Sequence, residues 1–189
     1  MTPPLKEILR SLYGAYRLAR ADAGGMTFFN ISVKGFWRSF FAAVIIAPLY
    51  TLLLYMRFDA GEVGAAVPRY VSVEVISYVI AWTAFPVVML SVVRFLEREK
   101  KYLTYIIAYN WAAVLQNGLY IPLAMLSVNG MLSEETASAL SFVILLLILV
   151  YTWFITKTAL ELPTGSVIAI VALDLVLGVF ISVTAESIL

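Results

Sequence analysis

Neither cysteine nor histidine occurs in this chain of 189 residues. Without cysteine there is no disulfide, no thiolate nucleophile and no Cys-ligated zinc or iron–sulfur centre. Without histidine there is no imidazole base, no axial haem ligand and no His-based proton relay. Charge is scarce too: 13 Lys+Arg and 12 Asp+Glu make up 13% of the residues, where an ordinary soluble domain has about 25%. Hydrophobic residues reach 62% instead of the usual 45–50% or so. A disordered chain, a nucleic-acid binder and an ordinary cytosolic enzyme are thereby excluded. Walker, Rossmann, HExxH and GxSxG patterns are all missing. Glu97 and Glu99, or Glu134 and Glu135, are close in sequence but fall in loops with nothing to shape a site. No enzyme, cofactor or metal centre is expected, and any chemistry must run on carboxylates, lysines or hydroxyls.

What the chain does have is long uncharged stretches. Residues 39–56, 75–93, 102–133 and 136–156 carry no charge, and 162–185 carries only Asp174. A helix needs about 20 predominantly apolar residues to cross hydrocarbon roughly 30 Å thick, and each stretch is close to that length or longer. Solid apolar runs, in place of alternation over about ten residues, predict helices and not barrel strands. Spans are expected near 36–56, 71–95, 103–126, 137–156 and 166–184, the third ending before the turn signal Ser127-Val128-Asn129-Gly130. The fold class is therefore an all-α integral membrane protein: a five-helix transmembrane bundle (26–189) preceded by a basic amphipathic interfacial helix (1–25).

Lysine and arginine give the orientation. Lys6, Arg10, Arg17, Arg20, Lys34 and Arg38 precede the first span; Arg94, Arg98, Lys100 and Lys101 lie in the second loop; Lys157 lies in the fourth. The opposite side receives only Arg57 and Arg69. The positive-inside rule then predicts an N-terminus in the cytoplasm and a C-terminus outside. Ahead of the first span, Leu5, Ile8, Leu9, Leu12, Ala15, Tyr16 and Ala19 share one helical face, with Lys6, Arg10, Arg17 and Arg20 beside it. These four cations are candidate contacts for an anionic inner leaflet. No cleaved signal is expected, because the first apolar run begins near residue 36. Phe28, Phe29, Phe36 and Trp37 predict an interfacial aromatic belt.

Ionisable groups inside hydrocarbon are costly and mark function by default. Asp174 lies well inside the fifth span, on a stripe at steps of four with Ser166, Ile170, Gly178, Ser182 and Glu186 that is small and polar beside the Val, Leu and Ile of the rest. Asn110, Gln116 and Asn117 in the third span are its expected company: Asn110 stands at the depth of Asp174, and Glu74 in the second span is positioned to meet Asn117 or Gln116. These five residues either fix helix packing through hydrogen bonds or line a polar path for a proton, ion or small solute. Lys157 and Glu161, four residues apart, are expected to pair on the fourth helix. Pro48, Pro86 and Pro122 fall inside the first three spans, where proline kinks are common.

The segment Gly35-Phe36-Trp37-Arg38-Ser39-Phe40, following a basic amphipathic helix and leading into five spans within about 190 residues, resembles small uncharacterised bacterial inner-membrane proteins and, in topology, the Yip-type five-span family. That resemblance implies a non-enzymatic scaffold, assembly or trafficking-type partner of other membrane components, and transfers no catalytic residue. A membrane-protein partner or a second copy is expected to pack on the third and fifth helices. The alternative is a small transporter or channel subunit with its polar site around Asp174 and Asn110.

Overall fold

Each expected span lies in a helical stretch, and all but the second, which ends with its helix at Phe95, are overrun at both ends, because caps and first turns are polar while still belonging to the helix. The computed structural model describes residues 2–189. In chain order it contains α1 (Leu5–Ala19), α2 (Val33–Ser39), α3 (Phe41–Asp59), α4 (Val67–Phe95), α5 (Tyr102–Val128), α6 (Glu134–Leu160) and α7 (Thr164–Ile188), with 3₁₀ turns at Ala23–Phe28 and Glu99–Lys101. Among the described residues there is no strand. Five helical stretches are long and apolar enough to cross a membrane: α2 running into α3, α4, α5 with its preceding 3₁₀ turn, α6 and α7. All five expected spans lie within them. The polar ends are visible at α6, where Ser133 Oγ accepts from the Thr136 amide at 3.2 Å. After α5 the chain turns through Gly130 at φ +66°, the left-handed conformation glycine adopts without strain.

The central helix is α5, which packs against α1, α2, α3, α4 and α6. From Tyr105 to Ala113 all its side chains are buried except Tyr109, which is half-buried, and Trp111 is only 2% exposed. The third span was expected to offer a partner surface; the bundle instead encloses its first half and leaves Leu119, Tyr120 and Leu126 exposed further along. α7 packs on α4 and α6. Along their backbones α3 and α4 hardly touch, and tyrosines cross the space between them. Tyr70 Oη donates to the Leu54 carbonyl at 3.2 Å and Tyr78 Oη to the Ala43 carbonyl at 2.7 Å.

α1 lies against the bundle, not apart from it. Its buried positions are Ser11, Gly14, Ala15 and Leu18, at helical spacing, and Tyr151 Oη from α6 donates to the Ala15 carbonyl at 2.7 Å. The face expected to be apolar is thus split: Ala15 is inside, whereas Leu5, Leu9 and Tyr16 remain exposed. Gly14 and Gly25 let α1 and the following turn approach closely. A Cβ on Gly25 would stand 2.5 Å from the Gly14 carbonyl oxygen.

The segment 35–40 is the joint between α1 and the spans, with a separate task for each polar residue. Gly35 packs on the Asn30 carbonyl, where no Cβ fits. Arg38 Nη1 pairs with Glu7 Oε2 of α1 at 2.5 Å, the two side chains being 17% and 15% exposed. Ser39 Oγ donates to the Phe36 carbonyl at 2.7 Å and accepts from Asn110. Asn30-Ile31-Ser32 is a helix start: Ser32 Oγ accepts the Gly35 amide at 2.9 Å.

The expected Lys157–Glu161 pair is not formed. Glu161 takes a left-handed backbone (φ 53°) that ends α6 and turns its carboxylate to Lys101 Nζ at 2.8 Å, while Lys157 Nζ donates to the Leu162 carbonyl at 2.7 Å. The Lys101 hydrogen bond holds the Glu161 carboxyl below the usual glutamate range. A carboxyl lowered by folding stabilises the fold above its unfolded pKa and loses that contribution as pH falls through its folded pKa. Lys101→Ala is expected to move the Glu161 midpoint up to the ordinary range. Carboxyl-carbon NMR titration measures it, and an unmoved midpoint would show that the pair is not populated.

Candidate functional site

Because α3 and α4 stand apart, a cavity of about 320 Å³ lies between α3, α4, α5 and α7. It is at the end of the bundle where α4 begins and α3, α5 and α7 finish. Each wall is a helical stripe. From α4 come Glu74, Ser77, Tyr78, Ala81 and Trp82, at steps of three and four; from α5 come Tyr109, Ala113, Gln116 and Asn117 at the same steps. α3 adds Tyr50 and Arg57, two turns apart, and α7 adds Ile181, Ser182, Ala185 and Glu186.

Glu74 is the buried acid of this cavity, at 7% exposure. Tyr50 Oη donates to its Oε2 at 2.7 Å; among the described residues Oε1 has no hydrogen-bond partner and no cation lies within ion-pair distance of the carboxylate. Arg57 is already engaged, its Nε donating to Glu62 Oε2 at 3.1 Å. Glu186 brings a second carboxylate to the wall. The aromatic side is continuous: Tyr50 stacks on Tyr78 with centroids 4.9 Å apart, and Tyr78 leans on Trp82 at 6.2 Å.

Tyr109 closes the inner end. Its ring packs on Phe85 at 4.7 Å and on Tyr105 at 6.1 Å, and Tyr105 Oη shares a 3.0 Å hydrogen bond with Thr156 Oγ1. Tyr109 Oη donates to Asp174 Oδ1 at 2.7 Å. Asp174 therefore meets the cavity through one phenol. The fold brings Glu74, Gln116 and Asn117 to a single cavity, though without direct bonds to Glu74: Gln116 Nε2 donates to Thr152 Oγ1 at 3.0 Å and Asn117 Nδ2 to the Ala113 carbonyl at 2.8 Å.

The expected Asp174–Asn110 hydrogen bond is absent. Asn110 points to the other side of α5, where its Nδ2 donates to Ser39 Oγ at 2.8 Å and its Oδ1 is buried without a partner. The two residues match in depth but not in direction around the helix. Of the candidate lipid contacts, Arg17 pairs with Asp22 at 2.5 Å and Arg10 Nη2 donates to the Thr27 carbonyl at 3.0 Å. Both guanidinium groups also lie over the Phe28 ring. The Arg17 hydrogen bond keeps the Asp22 carboxyl below its usual range. Lys6 is exposed, and Arg20 is exposed beside the Tyr16 ring.

Known proteins supply no template for this arrangement. The chain matches no family model, no curated protein and no solved structure. Its function has to be read from the cavity.

Four wall residues, Tyr50, Tyr78, Trp82 and Tyr109, escape a search confined to acids and amides. The signal for them is in the sequence: tyrosine in mid-span has a hydroxyl that needs a partner, and Glu74, Tyr78 and Trp82 recur every four residues.

Proposed function

We propose that the protein is a multi-pass protein of the bacterial inner membrane that admits a small polar solute or ion to the α3–α4–α5–α7 cavity from the outer face. In this reading the N-terminus is cytoplasmic, the C-terminus is outside, and the basic loop residues occupy the cytoplasmic side. α1 lies at the inner interface, with Leu5, Leu9, Lys6 and Arg20 turned to lipid. The observation that carries the function is the Glu74 carboxylate, buried on the cavity wall with one oxygen unpartnered. Acids placed inside a membrane bundle and facing a cavity mark ion and substrate paths. This supports the transporter or channel expectation over the scaffold.

The Tyr109–Asp174 pair is the inner boundary of the path. An outward-open cavity sealed beneath by aromatic side chains is one half of an alternating-access cycle, and the Tyr109 ring is the group that must move to complete it.

The test is flux into pyranine-loaded proteoliposomes under a potassium-diffusion potential, with protons and monovalent cations as probes. Native protein is expected to conduct above empty liposomes, and Glu74→Gln and Asp174→Asn each to lower the rate roughly tenfold or more, the effect of losing about 1.4 kcal/mol or more at the path. Rates equal to those of empty liposomes for native protein would overturn the proposal.

A further inference from the structure

We infer that the cavity selects a small organic ammonium, held by the Glu74 carboxylate against a wall of aromatic side chains. This rests on the function proposed above and names its substrate class. Three observations converge on it.

The first is charge. Within the cavity the carboxylates of Glu74 and Glu186 face a single cation, Arg57, whose guanidinium is held by Glu62. The net field favours a cation. An anion at Arg57 would lie beside Glu74 and close to Glu62, which already accepts from Arg57 Nε.

The second is the chemistry of the wall. Tyr50 bonds the acid and Tyr78 stacks on Tyr50, while Trp82 and Tyr109 continue the aromatic wall further along the cavity. Aromatic rings attract an alkylated ammonium through their negative faces, and an aromatic cage with a carboxylate is the recurrent solution for such ligands. A hydrated metal cation calls for oxygen ligands in number. The acids on the wall are two, Glu74 and Glu186, and among the described residues no cluster of three acids is available for a metal. A methylated ammonium uses the apolar rings that a metal ion leaves idle.

The third is size and polar fit. About 320 Å³ is the small end of the roughly 300–1,000 Å³ range of ligand pockets, which suits a headgroup-sized amine. Tyr50 already donates to Glu74 Oε2, which fixes the carboxylate and leaves Oε1 for the incoming cation. Ser182 and Asn117 line the same space and offer hydrogen bonds to a hydroxyl or carbonyl elsewhere on the ligand.

The experiment uses the full chain in lipid nanodiscs, titrated with tetramethylammonium chloride while tryptophan fluorescence is followed. Sodium chloride at equal ionic strength and sodium benzoate serve as comparison probes. A saturable change with tetramethylammonium alone is expected. Glu74→Gln should weaken it by about 30-fold or more, the effect of removing one partner of a buried charge pair. Trp82→Leu should weaken it by about 2- to 30-fold, the range of one cation–π contact. Glu74→Asp, which keeps the charge, should retain more affinity than Glu74→Gln; equal loss in the two variants would overturn the role given to the carboxylate. Saturable binding of benzoate, or tetramethylammonium binding unaffected by Glu74→Gln, would overturn the substrate class. If tetramethylammonium fails to bind while proteoliposome flux still depends on Glu74, this inference falls and the proposed function stands. If both are absent, both fall.

Discussion

Arg38→Met is expected to destabilise the protein by about 3–5 kcal/mol, the cost of leaving one member of a buried ion pair without the other. Arg38 and Glu7 meet at 2.5 Å with both side chains more than four-fifths covered, and Glu7 Oε1 also accepts from Asn30 Nδ2 at 3.1 Å. Removing the guanidinium strands a carboxylate between α1 and α2. The second replacement separates that penalty from the intrinsic worth of the pair: Glu7→Gln with Arg38→Met is expected to recover most of the loss, because two neutral groups have little to desolvate. Thermal unfolding of the four proteins in detergent closes the cycle. If the double variant is as unstable as Arg38→Met alone, the joint is held by the shape of the arginine and not by its charge. The single variant should also loosen α1 from the bundle, which amide exchange across residues 5–19 reads directly.

Trp111→Ala is expected to cost about 3 kcal/mol, toward the lower end of the roughly 3–5 kcal/mol seen for buried aromatic truncations. In the membrane setting proposed above, separated helices would keep their apolar surface out of water, so the loss would be mainly of packing and not of hydrophobic transfer. Trp111 is nonetheless the largest fully enclosed side chain, on the helix against which five others pack, and no neighbour can collapse into its place without moving a span. Trp37→Ala supplies the contrast. Trp37 is 65% exposed, and its removal is expected to stay within about 0.5 kcal/mol. Comparable losses at the two positions in detergent-denaturation curves would show that α5 is not the centre of the fold.

The helices were legible in the sequence because five uncharged apolar runs, each near the roughly twenty residues a hydrocarbon crossing would require, stand out by composition alone. Direction around each helix was not. Hydropathy is nearly uniform around α5 and α7, so nothing in the apolar pattern says that Asn110 faces Ser39 while Tyr109, one residue earlier, faces Asp174. Equal depth suggested a bond that roughly 100° of rotation per residue removes. The same blindness assigned Glu161 to Lys157, four residues back, when the left-handed turn after α6 carries it to Lys101 on another helix. At α1 the amphipathic pattern missed which positions go inside. Contact there is made through Ser11 and Gly14, small residues that a hydrophobic count ignores. The cavity was half visible: its acid and amides stood out as polar atoms in apolar runs, whereas its tyrosines passed as ordinary membrane aromatics.

The seam between α3 and α4 has a mechanical meaning. Interlocked helices part only by breaking many close contacts at once, whereas this seam is fastened by three phenol hydroxyls and the ring pairs Tyr50–Tyr78 and Phe58–Tyr70. Each hydroxyl bond has a net worth of about 0.5–1.5 kcal/mol, and water entering the cavity can replace it as it lets go. The bundle is thus unevenly stiff: rigid around α5, and jointed along one edge by fasteners that solvent can undo one at a time.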